Sequence, residues 1–167
     1  AEKRDVPFTW LGAGEKIQAG ECAMDILGPL TRDEEDENNN SLVVNVRTPE
    51  GNILLTGDMT QTEEEELLDA GSIPQAKVLK VGHHGRDDAT GRRLVAAVRP
   101  QWAVISTSSQ ERPDTPAAQV METLALFQVK TAVTQDAQVG VLVELEEQNV
   151  AVWRVDWDGK HPIENGT

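Results

Sequence analysis

Between Ile53 and Thr134 the sequence passes three times from a short apolar run through a helical stretch and back to an apolar run. Ile53-Leu54-Leu55-Thr56 leads into a helix carrying Leu67-Leu68 that stops at Gly71, and Ala76 to Val81 leads into a helix from about Thr90 to Val98. Trp102 to Ser106 leads through the polar loop Thr107 to Asp114 into a helix reaching about Phe127, before the strand Lys130 to Thr134. Short β-branched runs bounded by glycine and polar residues read as strands, and the longer periodic stretches read as helices. Successive β-helix-β units with the usual right-handed crossover make their strands parallel. The strands' C-terminal ends then share one edge, the edge where open α/β sheets bind ligands.

Local signals place the remaining boundaries. Thr62 with Glu65 three residues on predicts a capping box, and Thr115-Pro116 predicts an N-cap with proline at the first helical position. Lys16 to Leu27 reads as short extended pieces closed by Gly28-Pro29, and Thr31 to Asn40 as a flexible polar loop. Ser41 to Arg47 reads as a buried strand that returns through the turn Pro49-Glu50-Gly51-Asn52. Gly140 to Leu145 and Val150 to Val155 close the pattern with strands. One domain is expected over residues 1–155, followed by a flexible tail over 156–167.

Charge narrows the function classes. Fifteen Lys and Arg stand against 29 Asp and Glu, a net charge of −14. An autonomous nucleic-acid binder usually carries a basic stripe that displaces counterions from phosphates, and this balance disfavours one. The acid runs Asp33 to Glu37 and Glu63 to Glu66 are expected as solvated surface, the first in a loop and the second on a helix face. The single Cys22 excludes an internal disulfide and reads as a buried structural thiol. No apolar run approaches the roughly 18 residues of a membrane span. The opening Ala1-Glu2-Lys3-Arg4-Asp5 has neither an initiator Met nor the apolar stretch of a signal peptide, so the chain is expected to derive from something longer.

Three loops fall on the shared edge: Gly57-Asp58, Gly82-His83-His84-Gly85, and Thr107 to Asp114. Asp58 suits either a helix cap or a metal ligand. His83 and His84 are two of the three histidines in the chain, and a neighbouring pair between glycines at a strand end is poorly explained by packing. On an extended backbone adjacent side chains point to opposite sides, so one imidazole can enter a site while the other supports it. His161 lies in the polar tail and reads as incidental. One carboxylate and two imidazoles fall short of a catalytic zinc site, which takes about three protein ligands plus water. The constellation is half a site.

The runs Asn38-Asn39-Asn40-Ser41-Leu42-Val43-Val44, Leu54-Leu55-Thr56-Gly57-Asp58, Val78-Leu79-Lys80-Val81-Gly82-His83-His84-Gly85 and Val104-Ile105-Ser106 together resemble the C-terminal half of the metallo-β-lactamase-fold domain of ComEC-type competence proteins. Order and spacing agree, and the likeness runs from about Ala1 to Leu145. The resemblance implies a four-layer αββα sandwich of which this chain holds the second half, with a divalent metal, zinc or manganese, at the sheet edge. It implies metal-dependent hydrolysis of a phosphodiester in a DNA strand during uptake, and a cell-envelope location through a membrane-embedded parent; a cytoplasmic location is the alternative. Asp58 then matches the carboxylate that ligates the metals, and His83-His84 matches the later histidine motif, with His83, nearer the strand end, favoured as the ligand. The implied partners are the absent first half of the domain or a second copy of the chain.

Three departures set limits on that expectation. The His-x-His-x-Asp-His motif of the family should precede residue 1 and is not in the chain. Asp114-Thr115-Pro116 stands where the family usually has Gly-His-Pro, and Thr115 can cap a helix but cannot act as an imidazole. Arg86-Asp87-Asp88 follows Gly85 where the family favours serine. The alternatives are a non-catalytic α/β interaction module and a hydrolase of small esters or phosphoesters.

Overall fold

The computed structural model describes residues 9–164. β1 (Lys16–Ala19), β2 (Cys22–Gly28), β3 (Val43–Thr48) and β4 (Gly51–Leu55) form an antiparallel meander. From β4 the pairing turns parallel, with β5 (Val78–Lys80), β6 (Trp102–Ile105) and β7 (Lys130–Val133) added in chain order to give a seven-stranded mixed sheet. α1 (Gln61–Asp69), α2 (Arg92–Val98) and α3 (Ala118–Leu126) are the three crossovers between the parallel strands.

The alternating side chains of β4 to β7 divide between two cores. Leu54 and Leu79 join Met59, Leu67 of α1, and Leu94 and Val98 of α2. Ala103, Ile105 and Val133 join Val95 of α2, and Val120 and Leu124 of α3. The opposite face presents Ile53, Val78, Trp102, Val104 and Ala132 to a second sheet. That sheet is β8 (Gly140–Leu145), β9 (Val150–Asp156) and β10 (Gly159–Pro162), in the order β10-β9-β8. Val141, Val143, Leu145, Val150 and Val152 point inward from it. Helices, a large sheet and a small sheet therefore stack as three layers, an α/β architecture in which every parallel strand is covered on both faces.

Several boundaries differ from expectation. α1 starts at Gln61 with Thr60 as its N-cap residue, so Thr62 and Glu65 lie inside the helix rather than forming a box at its entry. The Thr60 hydroxyl donates to Asn39 instead, which ties the preceding loop to the helix. At the other end the Gly71 and Ser72 amides donate to the Leu68 and Leu67 carbonyls, with Gly71 at φ 65°, so the predicted stop holds for the reason expected of a left-handed glycine cap. α3 begins at Ala118 with Ala117 as its cap; Thr115 lies outside it, its hydroxyl bonded to Thr107 and donating to the Arg112 carbonyl. From Asp156 the chain continues through β10 in register with β9 rather than as a loose tail. The expectations for residues 1–8 and 165–167 fall outside the described residues.

The first acid run lies in a solvent-facing loop as expected, with an internal scaffold, whereas the second is partly enclosed. The loop over 33–40 is built around Asp33, which accepts from the Glu35 and Asp36 amides and from the Asn39 side chain. Those donors hold the Asp33 carboxyl below its usual range. In α1, Glu63 and Glu64 are 1% and 2% exposed, whereas Glu65 meets Arg93 and Glu66 accepts from Thr31. Glu64 spans to the entry of α2, where the amides of the N-cap Gly91 and of Thr90 before it donate to it from across the fold. Cys22 is half-buried at the start of β2 rather than enclosed.

Candidate metal centre

Two contacts lace the first two edge loops together, and two more anchor them from outside. The Thr56 hydroxyl donates to the Lys80 carbonyl at 2.7 Å, and the His83 amide donates to the Gly57 carbonyl at 3.2 Å. The Asp58 amide donates to the Ser41 hydroxyl at 3.0 Å, and the Ala117 amide donates to the Gly85 carbonyl at 2.8 Å. The loops after β4 and β5 thus hold each other, with β3's lead-in and the start of α3 as outer supports.

Gly82 is small because of this lacing. A Cβ there would lie 2.9 Å from the Met59 carbonyl oxygen, and that oxygen belongs to backbone. Gly82→Ala is therefore expected to lower stability by about 1–3 kcal/mol, the usual range for overpacking a tight site. Urea unfolding measures it, and an unchanged midpoint would contradict the close approach.

His83 and His84 both adopt left-handed backbone, at φ 44° and φ 58°. The pair is not extended, so the two rings part by a different route from the expected alternation. For residues with a Cβ this conformation is disfavoured by roughly 1–2 kcal/mol each. Such outliers gather where a site requires them.

The rings go to different carboxylates. His83 is buried, and its Nδ1–H donates to Asp88 Oδ1 at 2.9 Å. His84 donates from Nδ1–H to the Ser106 carbonyl at 2.6 Å, and its Nε2 lies 3.4 Å from Asp58 Oδ1. A carbonyl can only accept, so the proton of neutral His84 sits on Nδ1 and the Nε2 lone pair faces a carboxylate oxygen. Two acceptors meeting across 3.4 Å need a proton or a cation between them. The outer nitrogen of a metal-binding imidazole is commonly fixed by a backbone carbonyl in this way. Geometry thus gathers Asp58 with His84, whereas His83 braces the loop against Asp88. The donor chemistry fits a divalent metal, with two protein ligands out of the three or more that a catalytic site takes.

The third loop contributes walls rather than ligands. Thr107, Ser108, Ser109, Thr134 and Gln135 line an open cavity of about 450 Å³ beside the Ser106 carbonyl that fixes His84. The cavity is held by the Thr107 amide donating to the Thr134 hydroxyl at 3.0 Å and the Ser109 amide donating to Gln135 Oε1 at 2.9 Å. Hydroxyls and amides there offer hydrogen bonds, and Asp136 adds a carboxylate to the lining. Thr115, at the position where the resemblance implies an imidazole, is buried and engaged with Thr107.

Asp156, Asp158 and His161 also come together, where β9 turns into β10. Asp156 accepts from Arg154 Nε at 2.6 Å and from the Gln138 amide at 2.8 Å, and Asp158 pairs with His161. Those partners already account for the cluster. His161 takes part in a local turn contact, its Nε2 lying 3.1 Å from Asp158 Oδ1.

No protein-family profile matches the chain. It is 29% identical over 130 residues to the ComE operon protein 3 of Bacillus subtilis, covering 78% of this chain and 17% of that protein. It is 30% identical over 148 residues to the uncharacterised protein YcaI of Escherichia coli, covering 83% of this chain and 20% of that protein. It is 34% identical over 115 residues to the recombination protein 2 of Haemophilus influenzae, covering 69% and 14% respectively. The chain spans about a fifth or less of the length of the relatives it matches.

Proposed function

We propose that this chain is the distal half of a metallo-β-lactamase-fold domain of the ComEC type, and that the complete domain in the parent protein hydrolyses a phosphodiester of a DNA strand during uptake. The similarity to proteins named for competence and recombination supports the DNA role. The stacking of helices, large sheet and small sheet supports three of the four layers of the sandwich. One observation carries the chemistry: the lone pair of His84 Nε2 and the carboxylate of Asp58 converge on a single point, with the opposite ring nitrogen pinned by the Ser106 carbonyl.

Zinc or manganese bound there would supply Lewis acidity towards a phosphoryl oxygen and towards water. Asp58 and His84 would hold it, the remaining ligands coming from outside the described residues. Ser106 keeps His84 in the tautomer that can ligate. His83 and Asp88 hold the loop in its left-handed turn. Hydroxyls of Thr107, Ser108 and Ser109 would orient a polar part of the substrate next to the reacting centre. Among the described residues no helix is long and apolar enough to cross a membrane, so anchorage at the envelope would come from other parts of the parent protein.

The non-catalytic alternative draws on one observation, the engagement of Thr115 with Thr107 where an imidazole would assist catalysis. Nuclease activity of the parent protein on a single-stranded oligonucleotide, before and after metal removal and reconstitution, decides between them. We expect cleavage that disappears with chelation and returns with manganese or zinc. Cleavage that survives chelation, or a metal-loaded protein without cleavage, would refute the hydrolase.

A further inference from the structure

We infer that Ser41 and Asn39 are positioning residues of the metal centre: the Asn-rich loop before β3 clamps residues 57–60 so that the Asp58 carboxylate faces His84. This rests on reading Asp58 and His84 as metal ligands, and it gives a task to the run Asn38-Asn39-Asn40-Ser41.

Asp58 depends on such a support. Its carboxylate is half-exposed, and among the described residues its one polar side-chain contact is His84 Nε2 at 3.4 Å. With so few partners, its direction is set by the backbone that carries it. That backbone is the short link, residues 56–60, between Leu55 at the end of β4 and Gln61 at the start of α1.

The loop holds this link at two points. The Asp58 amide donates to Ser41 Oγ at 3.0 Å, and two residues on, the Thr60 hydroxyl donates to Asn39 Oδ1. Gly57, at φ 56°, lies so near that a Cβ on it would stand 3.2 Å from both Ser41 Cβ and Ser41 Oγ. Ser41 is therefore wedged against the turn as well as bonded to it.

The clamp has its own footing. Asn39 Nδ2 donates to Asp33 Oδ2 at 2.7 Å, so one buried amide uses its donor on the loop and its acceptor on Thr60. Asn40 closes the same loop, accepting from the Asp33 amide at 2.9 Å and donating to the Asp33 carbonyl at 2.7 Å. The Ser41 amide donates to Glu63 Oε2 at 3.3 Å, which ties the loop to α1. An amide matched at both ends and a hydroxyl that accepts a backbone N–H fix position without adding a charge beside the centre. Such outer supports orient a ligand while its own side chain stays free for the metal.

The test is manganese binding by the parent protein, followed by electron paramagnetic resonance, for the wild type, Ser41→Ala, Ser41→Thr and Asn39→Ala. Val152→Ala, in the core between the sheets, serves as the destabilised reference. Thermal unfolding and hydrogen exchange of the Asp58 amide are recorded on the metal-free forms. Positioning predicts that each of Ser41→Ala and Asn39→Ala weakens manganese binding roughly ten- to hundredfold, and that Ser41→Thr restores it. Val152→Ala is expected to lower the unfolding midpoint and leave manganese affinity unchanged. Wild-type affinity in either Ser41→Ala or Asn39→Ala would overturn the clamp. So would complete loss of metal in Ser41→Ala, which makes Ser41 a ligand, or an equal weakening in Val152→Ala, which makes the effect one of stability. If Ser41→Ala does not fold, Ser41→Cys, close in size but a weak acceptor, carries the same comparison. A wild type that takes up neither manganese nor zinc refutes the proposed hydrolase. The Asp58 amide then decides the clamp: faster exchange in Ser41→Ala than in wild type sustains it, and equal exchange removes it.

Discussion

Glu63→Gln is expected to stabilise the protein at pH 7 by about 3 kcal/mol, and to do so progressively less as the pH is lowered towards 4.5. Glu63 is fully enclosed, with one oxygen accepting from the Ser41 amide at 3.3 Å and Oε1 without a hydrogen-bond partner. Gly28 lies against that oxygen so closely that a Cβ there would stand 2.9 Å from it. Burial raises the carboxyl from 4.5 to about 8, opposed by the Ser41 amide and helped by the nearby charge of Glu66. Glu64 is raised to about 7 by burial, against the opposing Thr90 and Gly91 amides.

The sign follows from where the proton sits. Between pH 4.5 and about 8 the unfolded chain has released the proton that folded Glu63 still holds. The folded state binds more protons in that window, so stability falls as the pH rises through it. The full contribution is present below pH 4.5 and is lost by about pH 8, at roughly 1.4 kcal/mol per unit for each such group. Glutamine keeps the acceptor and has no proton to lose, so its stability curve should be flatter by one group. Urea unfolding from pH 5 to 8 reads this out, and parallel curves for the two proteins would show that Glu63 is ionised in the fold.

The second large effect separates the two histidines. His84→Ala in the parent protein is expected to abolish metal binding at the edge, because it removes a ligand. His83→Ala is expected to weaken metal binding by about 10–100-fold, the usual effect of losing an outer support. Metal titration of both variants supplies the comparison. The reverse order would return the ligand role to His83, the choice that its position nearer the strand end suggests from sequence.

That choice illustrates what the sequence could and could not convey. Strands β4 to β7 were legible because Ile53-Leu54-Leu55, Val78-Leu79 and Trp102-Ala103-Val104-Ile105 are short apolar runs with glycine or polar stops, and both faces of each are covered. β8 and β9 were legible for the same reason, yet nothing local says that they leave the first sheet and cover its open face. β10 was missed because Gly159-Lys160-His161-Pro162 has no strand pattern of its own; it forms through pairing with β9. The Glu63 to Glu66 run read as solvated because charge alone was weighed. Helical spacing carries the missing signal: Glu63 and Glu64 lie four and three residues before Leu67, so they share the stripe that buried Leu67 marks.

The site followed the same division. Asp58, His83 and His84 stand out as candidates from residue type and their place after strands. Their pairing does not, because it depends on left-handed backbone at two consecutive non-glycine residues and on the Ser106 carbonyl from the next strand. Thr115 kept its expected place beside the third loop but not its capping role, since the helix starts three residues later.

Anomalous diffraction from crystals of the parent protein soaked in manganese, with data collected at the metal edge, tests the central claim most directly. The account predicts a peak between Asp58 Oδ1 and His84 Nε2, within about 2.0–2.2 Å of each, with His84 still held by Ser106. A peak on His83 that leaves His84 uncoordinated, or occupied metal sites elsewhere and none between Asp58 and His84, would contradict it.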